Sequence, residues 1–155
     1  MPTTLKQTEP TYTRYKVEGV EPENLDRIWW LVEGWLYGAL KRGDALIRPK
    51  QVKQCLIERS AMLWIVIAEN EIIAALVIRK HLSERSLEVW LLGGEDFLGW
   101  APTVSSLLKR YAQENGLRKV ECYARPGIGR GLRKLNLGWR HVQDVWAMRI
   151  DDDGR

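Results

Sequence analysis

Residues 86–116 read SLEVWLLGGEDFLGWAPTVSSLLKRYAQENG, and this stretch decides the fold of the chain. Its beginning, 86–92, is an apolar run typical of a buried β-strand, and two glycines follow it. The apolar residues of 101–116 then recur with the spacing of an amphipathic helix. The first amides of a helix lack partners within it, so the junction between this strand and this helix is suited to hold an anion.

The chain after this stretch repeats the strand–helix order. The segment LRKVECYA (117–124) predicts a strand, and GLRKLN (131–136) predicts a short helix. Gly138 and Trp139 then turn the chain into RHVQDVWAMRI (140–150), whose alternation predicts a last strand.

The chain before this stretch supplies further strands and two helices. TYTRYKVEGV (11–20) predicts a first strand, and a helix is expected from Pro22 to about Arg42. A shorter helix is expected over 48–59. The apolar runs 62–68 and 72–80 predict a hairpin that turns at Asn70, and we expect Trp64 and Trp90 to lie inside the sheet core.

This order of elements, with the wording LLGGE, YARPG and LRKLNLGWR, resembles the GNAT superfamily of N-acetyltransferases. It also resembles small GNAT-like proteins that bacteriophages carry near their virion genes. The resemblance implies an α/β (α+β) fold, with a mixed, mostly antiparallel sheet of six to seven strands and about four flanking helices. It implies one domain over 1–155, with an N-terminal arm at 1–10 and an acidic tail at 151–155.

Composition bounds the cell compartment and the partners. The net charge of +4 is only mildly basic, so charge alone does not indicate a nucleic-acid partner. Cys55 and Cys122 fall inside predicted elements and are expected to be buried free thiols. The two histidines, His81 and His141, are far apart in sequence, so no metal site is expected. No signal peptide is visible, which predicts a cytoplasmic protein, in the host cytoplasm or the virion if it is phage-encoded.

The resemblance makes acetyl-CoA the candidate cofactor. Active members carry Gln/Arg-x-x-Gly-x-Gly/Ala after the fourth strand, where backbone amides and a basic side chain hold the pyrophosphate. Here Glu95 and Asp96 occupy that loop, and 86–108 contains no Lys, Arg or His. Like charges oppose phosphate binding, so the loop predicts weak binding unless a cation reaches in from elsewhere; alternatively, the two carboxylates cap the helix. The residues implied for the cofactor are Leu92, Gly93, Gly94, Gly99 and Trp100.

Catalytic groups are sparse. Glu88 and Glu121, on the fourth and fifth strands, are the candidate bases, although either could be a solvated strand residue. Active relatives often place a Tyr as general acid four residues before the Gly-aromatic pair, and that position holds Lys134. The sequence therefore favours a catalytically degenerate protein that acts by binding, as a virion, internal or host-directed protein. The alternative is an active N-acetyltransferase that moves an acetyl group from acetyl-CoA to an amine.

Two surfaces are candidates for binding. RPGIGRG (125–131) lies between a predicted strand and helix and resembles a phosphate loop. It begins a basic patch that could hold an acidic partner, a nucleic-acid backbone or a CoA phosphate, formed by Arg125, Arg130, Arg133, Lys134 and Arg140.

The first long helix carries the second surface. It is apolar nearly all round but too short to cross a membrane. Trp30, Gly34 and Tyr37 lie on one side of it and are expected to stay partly exposed as a contact for a second copy or another protein chain.

Overall fold

The computed structural model describes residues 14–43 and 45–150; the predicted N-terminal arm and acidic tail lie outside them. A 3₁₀ helix spans Pro22–Arg27. The remaining elements in chain order are β1 (Tyr15–Val20), α1 (Trp29–Arg42), α2 (Pro49–Ile57), β2 (Met62–Ala68), β3 (Glu71–His81), β4 (Ser86–Gly94), α3 (Phe97–Glu114), β5 (Lys119–Cys122) and α4 (Pro126–Leu135).

The strands form one mixed sheet in the order β1-β2-β3-β4-β5. The first four strands pair antiparallel, and only β4 and β5 are parallel. The predicted fold class, a mixed and mostly antiparallel sheet flanked by helices, is confirmed. The described residues contain five strands rather than the predicted six to seven.

The missing strand is the one predicted over residues 140–150, which belong to no helix or strand. Alternating apolar residues favour a strand only where a neighbouring strand completes its hydrogen bonds. Within the described residues no strand lies beside the outer edge of β5. The strand prediction is therefore wrong for the isolated chain.

Each face of the sheet carries its own core. On one face, α3 packs through side chains such as Trp100, Val104 and Leu108. On the other, α1 and α2 pack through Trp29, Leu36, Val52 and others. The central strands, buried from both sides, are therefore apolar in almost every position, as 62–68 and 72–78 show.

Local signals explain several of the boundaries. Glu69 and Asn70 both have positive φ, 51° and 67°, which suits the tight turn between β2 and β3 and confirms the predicted hairpin. Trp64 is buried in the core as predicted, with 1% of its surface exposed. Trp90 is only partly buried: it packs against the α1–α2 core, and the Arg79 guanidinium lies 3.8 Å from its ring centroid. The predicted core position of Trp90 is therefore correct only in part.

The predicted phosphate loop at 125–131 is wrong. Helix α4 begins at Pro126 and includes almost all of that stretch. Proline is favoured in the first turn of a helix, where its missing N–H costs nothing, and this preference outweighs the glycines that suggested a loop. The basic residues therefore lie on a helix instead of surrounding a nest of free amides.

Candidate functional site at the separation of two parallel strands

The candidate site lies where β4 and β5 separate. They pair in register from Ser86 opposite Lys119 to Val89 opposite Cys122, where β5 ends. Strand β4 continues to Gly94, and its register with β3 shifts by one residue between Val77 and Ile78. The shift leaves Trp90 as the extra residue of a β-bulge, a device that bends a strand and redirects a side chain.

A small apolar cavity lies beside the point where the two strands separate. Its volume is about 20 Å³, room for about one water molecule, and its walls include Val89, Leu92 and Cys122. Trp139 forms part of the wall, and its indole N–H donates to the Ser105 hydroxyl at 3.0 Å. Burial, followed by the charge of Glu88, raises the pKa of the Cys122 thiol to about 12. The thiol is therefore neutral at physiological pH.

The start of α3 contacts Tyr15 of β1 through Asp96. Asp96 is the N-cap residue in the left-handed region (φ 60°), but its carboxylate caps no amide, so the predicted capping role is wrong for this residue. The Tyr15 hydroxyl donates to Asp96 instead, and this bond, with smaller effects of burial and charge, raises the pKa of Tyr15. A Cβ at Gly99 would overlap both groups, so Gly99 is needed here for packing.

The other glycines of the predicted cofactor loop also have packing roles. A Cβ at Gly93 would lie 2.8 Å from the Cβ of Trp35 on α1, and one at Gly94 would overlap the backbone of β3. Gly94 also has a φ of +123°, which side chains rarely adopt. Leu92 lines the apolar cavity, and Trp100 is buried, donating to the Glu95 carbonyl at 2.8 Å. These five positions therefore build the junction whether or not they contact a cofactor.

The cations absent from the β4–α3 loop come from α4. A groove of about 420 Å³ lies between the start of α3 and α4, and extends along α4 from Arg125 to Lys134. Phe97 and Leu98 form one wall. The other wall consists of Arg125, Gly127, Ile128, Arg130, Gly131 and Lys134. We call this feature the basic groove.

Neighbouring residues shape the basic groove. Gly131 allows close packing, because a Cβ there would lie 3.1 Å from the side chains of both Phe97 and Leu98. Burial, followed by repulsion from Arg125, lowers the pKa of Arg42 at the end of α1. The positive charge of α1 therefore adds to that of α4. Arg133 and Arg140 of the predicted basic patch do not line the groove, whereas its other three members do.

A charged cluster lies on the opposite side of the sheet. Glu88 is 4% exposed and accepts hydrogen bonds from the Arg79 guanidinium through both carboxylate oxygens at 3.1 Å. His81 Nε2 lies 2.6 Å from Glu88 Oε1. Glu88 is therefore no solvated strand residue, and we call these three residues the Glu88 cluster. Glu121 lies opposite Glu88 on the neighbouring strand β5 and forms an ion pair with Lys119 at 3.4 Å.

Sequence reasoning missed Arg79, His81 and the stacked Trp90. The signal was nevertheless present in the hairpin between β3 and β4. A turn over 82–85 places His81 opposite Ser86, and this register puts Arg79 opposite Glu88. A buried carboxylate needs such partners, so the register could have identified them.

The predicted contact surface on α1 is exposed. Trp30 is 76% exposed and Tyr37 is 57% exposed, as expected, and no atom lies within 4 Å of a Cβ built at Gly34. The Trp30 indole donates to the Arg27 carbonyl at 3.1 Å, which fixes the ring against the helix start. We call Trp30, Gly34 and Tyr37 the α1 face.

No helix within residues 14–43 and 45–150 is long and apolar enough to cross a membrane. No group of three or more His, Cys, Asp or Glu side chains there is arranged to hold a metal ion.

Four antiparallel strands followed by a parallel fifth, with a helix between the separating pair, form a GNAT-like fold. Solved structures with this fold match nearly the whole chain. A probable acetyltransferase matches with a TM-score of 0.65 and 14% identity, over 89% of this chain and 99% of that one. Neither protein-family models nor curated proteins match this sequence.

Two other matching structures contain a bound ligand. An aminoglycoside acetyltransferase from an uncultured soil metagenomic sample, in complex with sisomicin, matches at TM-score 0.57 and 14% identity, over 88% of this chain and 97% of that one. A predicted acetyltransferase with acetyl-CoA from Clostridium acetobutylicum matches at 0.57 and 14%, over 87% and 96%. At such identities the likeness establishes the fold alone.

Proposed function

We propose that the protein binds acetyl-CoA, with the CoA phosphates in the basic groove, and transfers the acetyl group to an amine. The observation that carries the proposal is the placement of Arg125, Arg130 and Lys134 beside the start of α3. Arginine holds phosphate through paired N–H donors, and the first amides of α3 add a favourable dipole. The groove thus compensates for the loop that holds Glu95 and Asp96.

The transfer needs a base on the acceptor side of the sheet. A neutral amine attacks the thioester carbonyl, the C–N bond forms, the C–S bond breaks, and CoA leaves as a thiolate. Glu88, one residue before the strands separate, takes the proton released by the amine, directly or through a water. Contacts with Arg79 and His81 hold this carboxyl group in place.

The tyrosine that serves as acid in active relatives is replaced by Lys134 at the corresponding position. A thiolate is a tolerable leaving group near neutral pH, because thiols have a pKa of about 8.5. Because no general acid protonates the leaving thiolate, we expect transfer to be slower by about 10²- to 10⁴-fold than in an enzyme that has one. The cavity of about 20 Å³ must also widen, through movement of Trp139, before a thioester can reach β4.

Release of free CoA thiol, measured with acetyl-CoA and a panel of primary amines, tests the proposal. We expect Glu88→Gln to abolish the amine-dependent release while leaving acetyl-CoA binding intact. We expect Arg130→Glu to weaken acetyl-CoA binding. Arg133→Glu, outside the groove, should change neither acetyl-CoA binding nor the amine-dependent release of CoA thiol. Binding without release from any amine would refute the transfer and leave the cofactor site standing.

A second candidate function is binding through the α1 face. It is favoured by the exposure of Trp30 and Tyr37 in a helix whose other side is fully packed. Gly34 lies midway between the two rings, so two α1 helices packed antiparallel would place each Trp30 against the partner's Tyr37. Such a self-complementary patch suits a second copy of the chain. Resemblance to phage proteins rests on the sequence motifs alone and adds no function here.

A further inference from the structure

The last described residues expose an unusual amount of apolar surface. We call residues 141–150 the C-terminal segment. Its even-numbered positions include Val142, Trp146, Met148 and Ile150, and Trp146 and Ile150 are 90% and 89% exposed. A monomer rarely leaves so many large apolar side chains in water, so this segment needs a cover.

The sheet has an open edge beside it. Strand β5 pairs with β4 on one side, and no strand pairs with its other side within the described part of the chain. Unpaired N–H and C=O groups along such an edge form a template for another strand. Val120 and Cys122 of β5 contact the α3 core at this edge, which gives an incoming strand an apolar surface to cover.

We propose that the C-terminal segment of one copy adds as a sixth strand to β5 of a second copy, and that the second copy reciprocates. A period of two would place Trp146, Met148 and Ile150 together on the face that covers Val120 and Cys122. Each chain has one such segment and one such edge, so two chains close symmetrically.

The path of the chain favours a second copy over the chain's own edge. The bond from Trp139 to Ser105 fixes the chain to α3 just before the segment begins. Beyond that point the segment pairs with no strand of its own sheet within the described residues, and Val142, Val145 and Trp146 are all at least 70% exposed. Asn136 and Gly138, both with positive φ, form the bend that precedes this anchor.

Disulfide trapping tests the exchange. In a background of Cys55→Ala and Cys122→Ala, one chain carries Glu121→Cys and another carries Gln143→Cys, Val145→Cys or Ala147→Cys in turn. Odd-numbered segment residues are expected beside Glu121, because the even-numbered ones cover the core. We expect mild oxidation to yield a covalent dimer of the two chains for at least one pair. Glu84→Cys, in the exposed turn between β3 and β4, is the matched control and should give none.

Placing Glu121→Cys and the best segment cysteine in one chain distinguishes the alternatives. Interlocked dimers support the exchange, whereas a monomer with an internal disulfide shows that the segment covers its own β5 and overturns it. Absence of any disulfide overturns it as well.

A charge variant checks the exchange without cysteines. Trp146→Lys combined with Ile150→Lys should raise the dissociation constant of this dimer at least about tenfold, measured by light scattering against concentration. Leu82→Lys, at an exposed apolar residue outside the segment, should leave it unchanged. Equal effects of both variants would contradict the proposal.

Discussion

The Glu88 carboxyl group is buried in the sheet, and contacts with its neighbours replace the water it has lost. Both of its oxygens are occupied by Arg79 and one also by His81. The Arg79 guanidinium in turn lies on the Trp90 ring. Removing one member of a buried pair leaves its partner without compensation, which is the costly way to break such a pair.

We therefore expect Glu88→Gln to lower the free energy of unfolding by about 2 to 3 kcal/mol, less than for a fully buried pair because Arg79 is partly exposed. The neighbouring Glu121→Gln, which breaks only an exposed pair with Lys119, should cost less than about 1 kcal/mol. Urea unfolding of the two variants measures both values. Equal costs would mean that the Glu88 cluster adds no more stability than an exposed ion pair.

Cys122 makes stability depend on pH in the alkaline range. Burial holds the folded thiol protonated up to a pKa of about 12, while the unfolded thiol ionises near its ordinary value of about 8.5. Between these values the folded state binds more protons, so its stability falls as pH rises. We expect the urea midpoint to fall more steeply above about pH 9 in the parent than in Cys122→Ala. Parallel profiles would contradict this cause.

At the scale of elements, α1 separates a buried face from an exposed one within two adjacent residues. Trp29 packs into the core and donates to Glu33 at 3.0 Å, whereas Trp30 points to solvent. We expect Trp29→Ala to cost about 3 to 5 kcal/mol of unfolding free energy and Trp30→Glu to change it by less than about 0.5 kcal/mol.

The same Trp30→Glu variant should lose self-association through the α1 face, measured by sedimentation against concentration. It should leave the disulfide trapping of the C-terminal segment unaffected. A Trp30→Glu protein that associates as the parent does would rule out the α1 face as a contact between copies.

Elements fixed by short-range chemistry could be predicted from the sequence. The β2–β3 turn at Asn70 is set by two neighbouring residues, and the β4–α3 junction includes Gly94, whose positive φ favours glycine. Helix α4 was misread because three glycines in seven residues outweighed one proline. The strand predicted at 140–150 failed for a different reason, since pairing depends on an edge that the sequence of the segment does not contain.

The candidate site shows the same division. Glu88 and Glu121 were predicted as separate candidates, and the parallel register of β4 and β5 makes them neighbours. That Arg125, Arg130 and Lys134 would meet Phe97 and Leu98 in one groove required the packing of α4 on α3. Contacts between distant elements of this kind cannot be read from local pattern.

At the scale of the whole molecule, charge is distributed unevenly around the start of α3. The loop before it holds two carboxylates, and the groove beside it is lined by Arg125, Arg130 and Lys134. Glu95 and Asp96 are both exposed, and the Asp96 carboxylate is bonded to the Tyr15 hydroxyl. The net balance favours an anionic ligand in the groove, with affinity limited by the two carboxylates.

Calorimetric titration of acetyl-CoA compares the parent protein with two variants, Arg130→Glu combined with Lys134→Glu, and Arg133→Glu. We expect a dissociation constant of about 10 to 100 µM for the parent and for Arg133→Glu, in the usual range for substrates. We expect binding at least about tenfold weaker for the groove variant, because two cations near the phosphates are reversed. No binding by the parent at about 1 mM acetyl-CoA, or equal affinity in all three proteins, would contradict the assignment of the basic groove to the CoA phosphates.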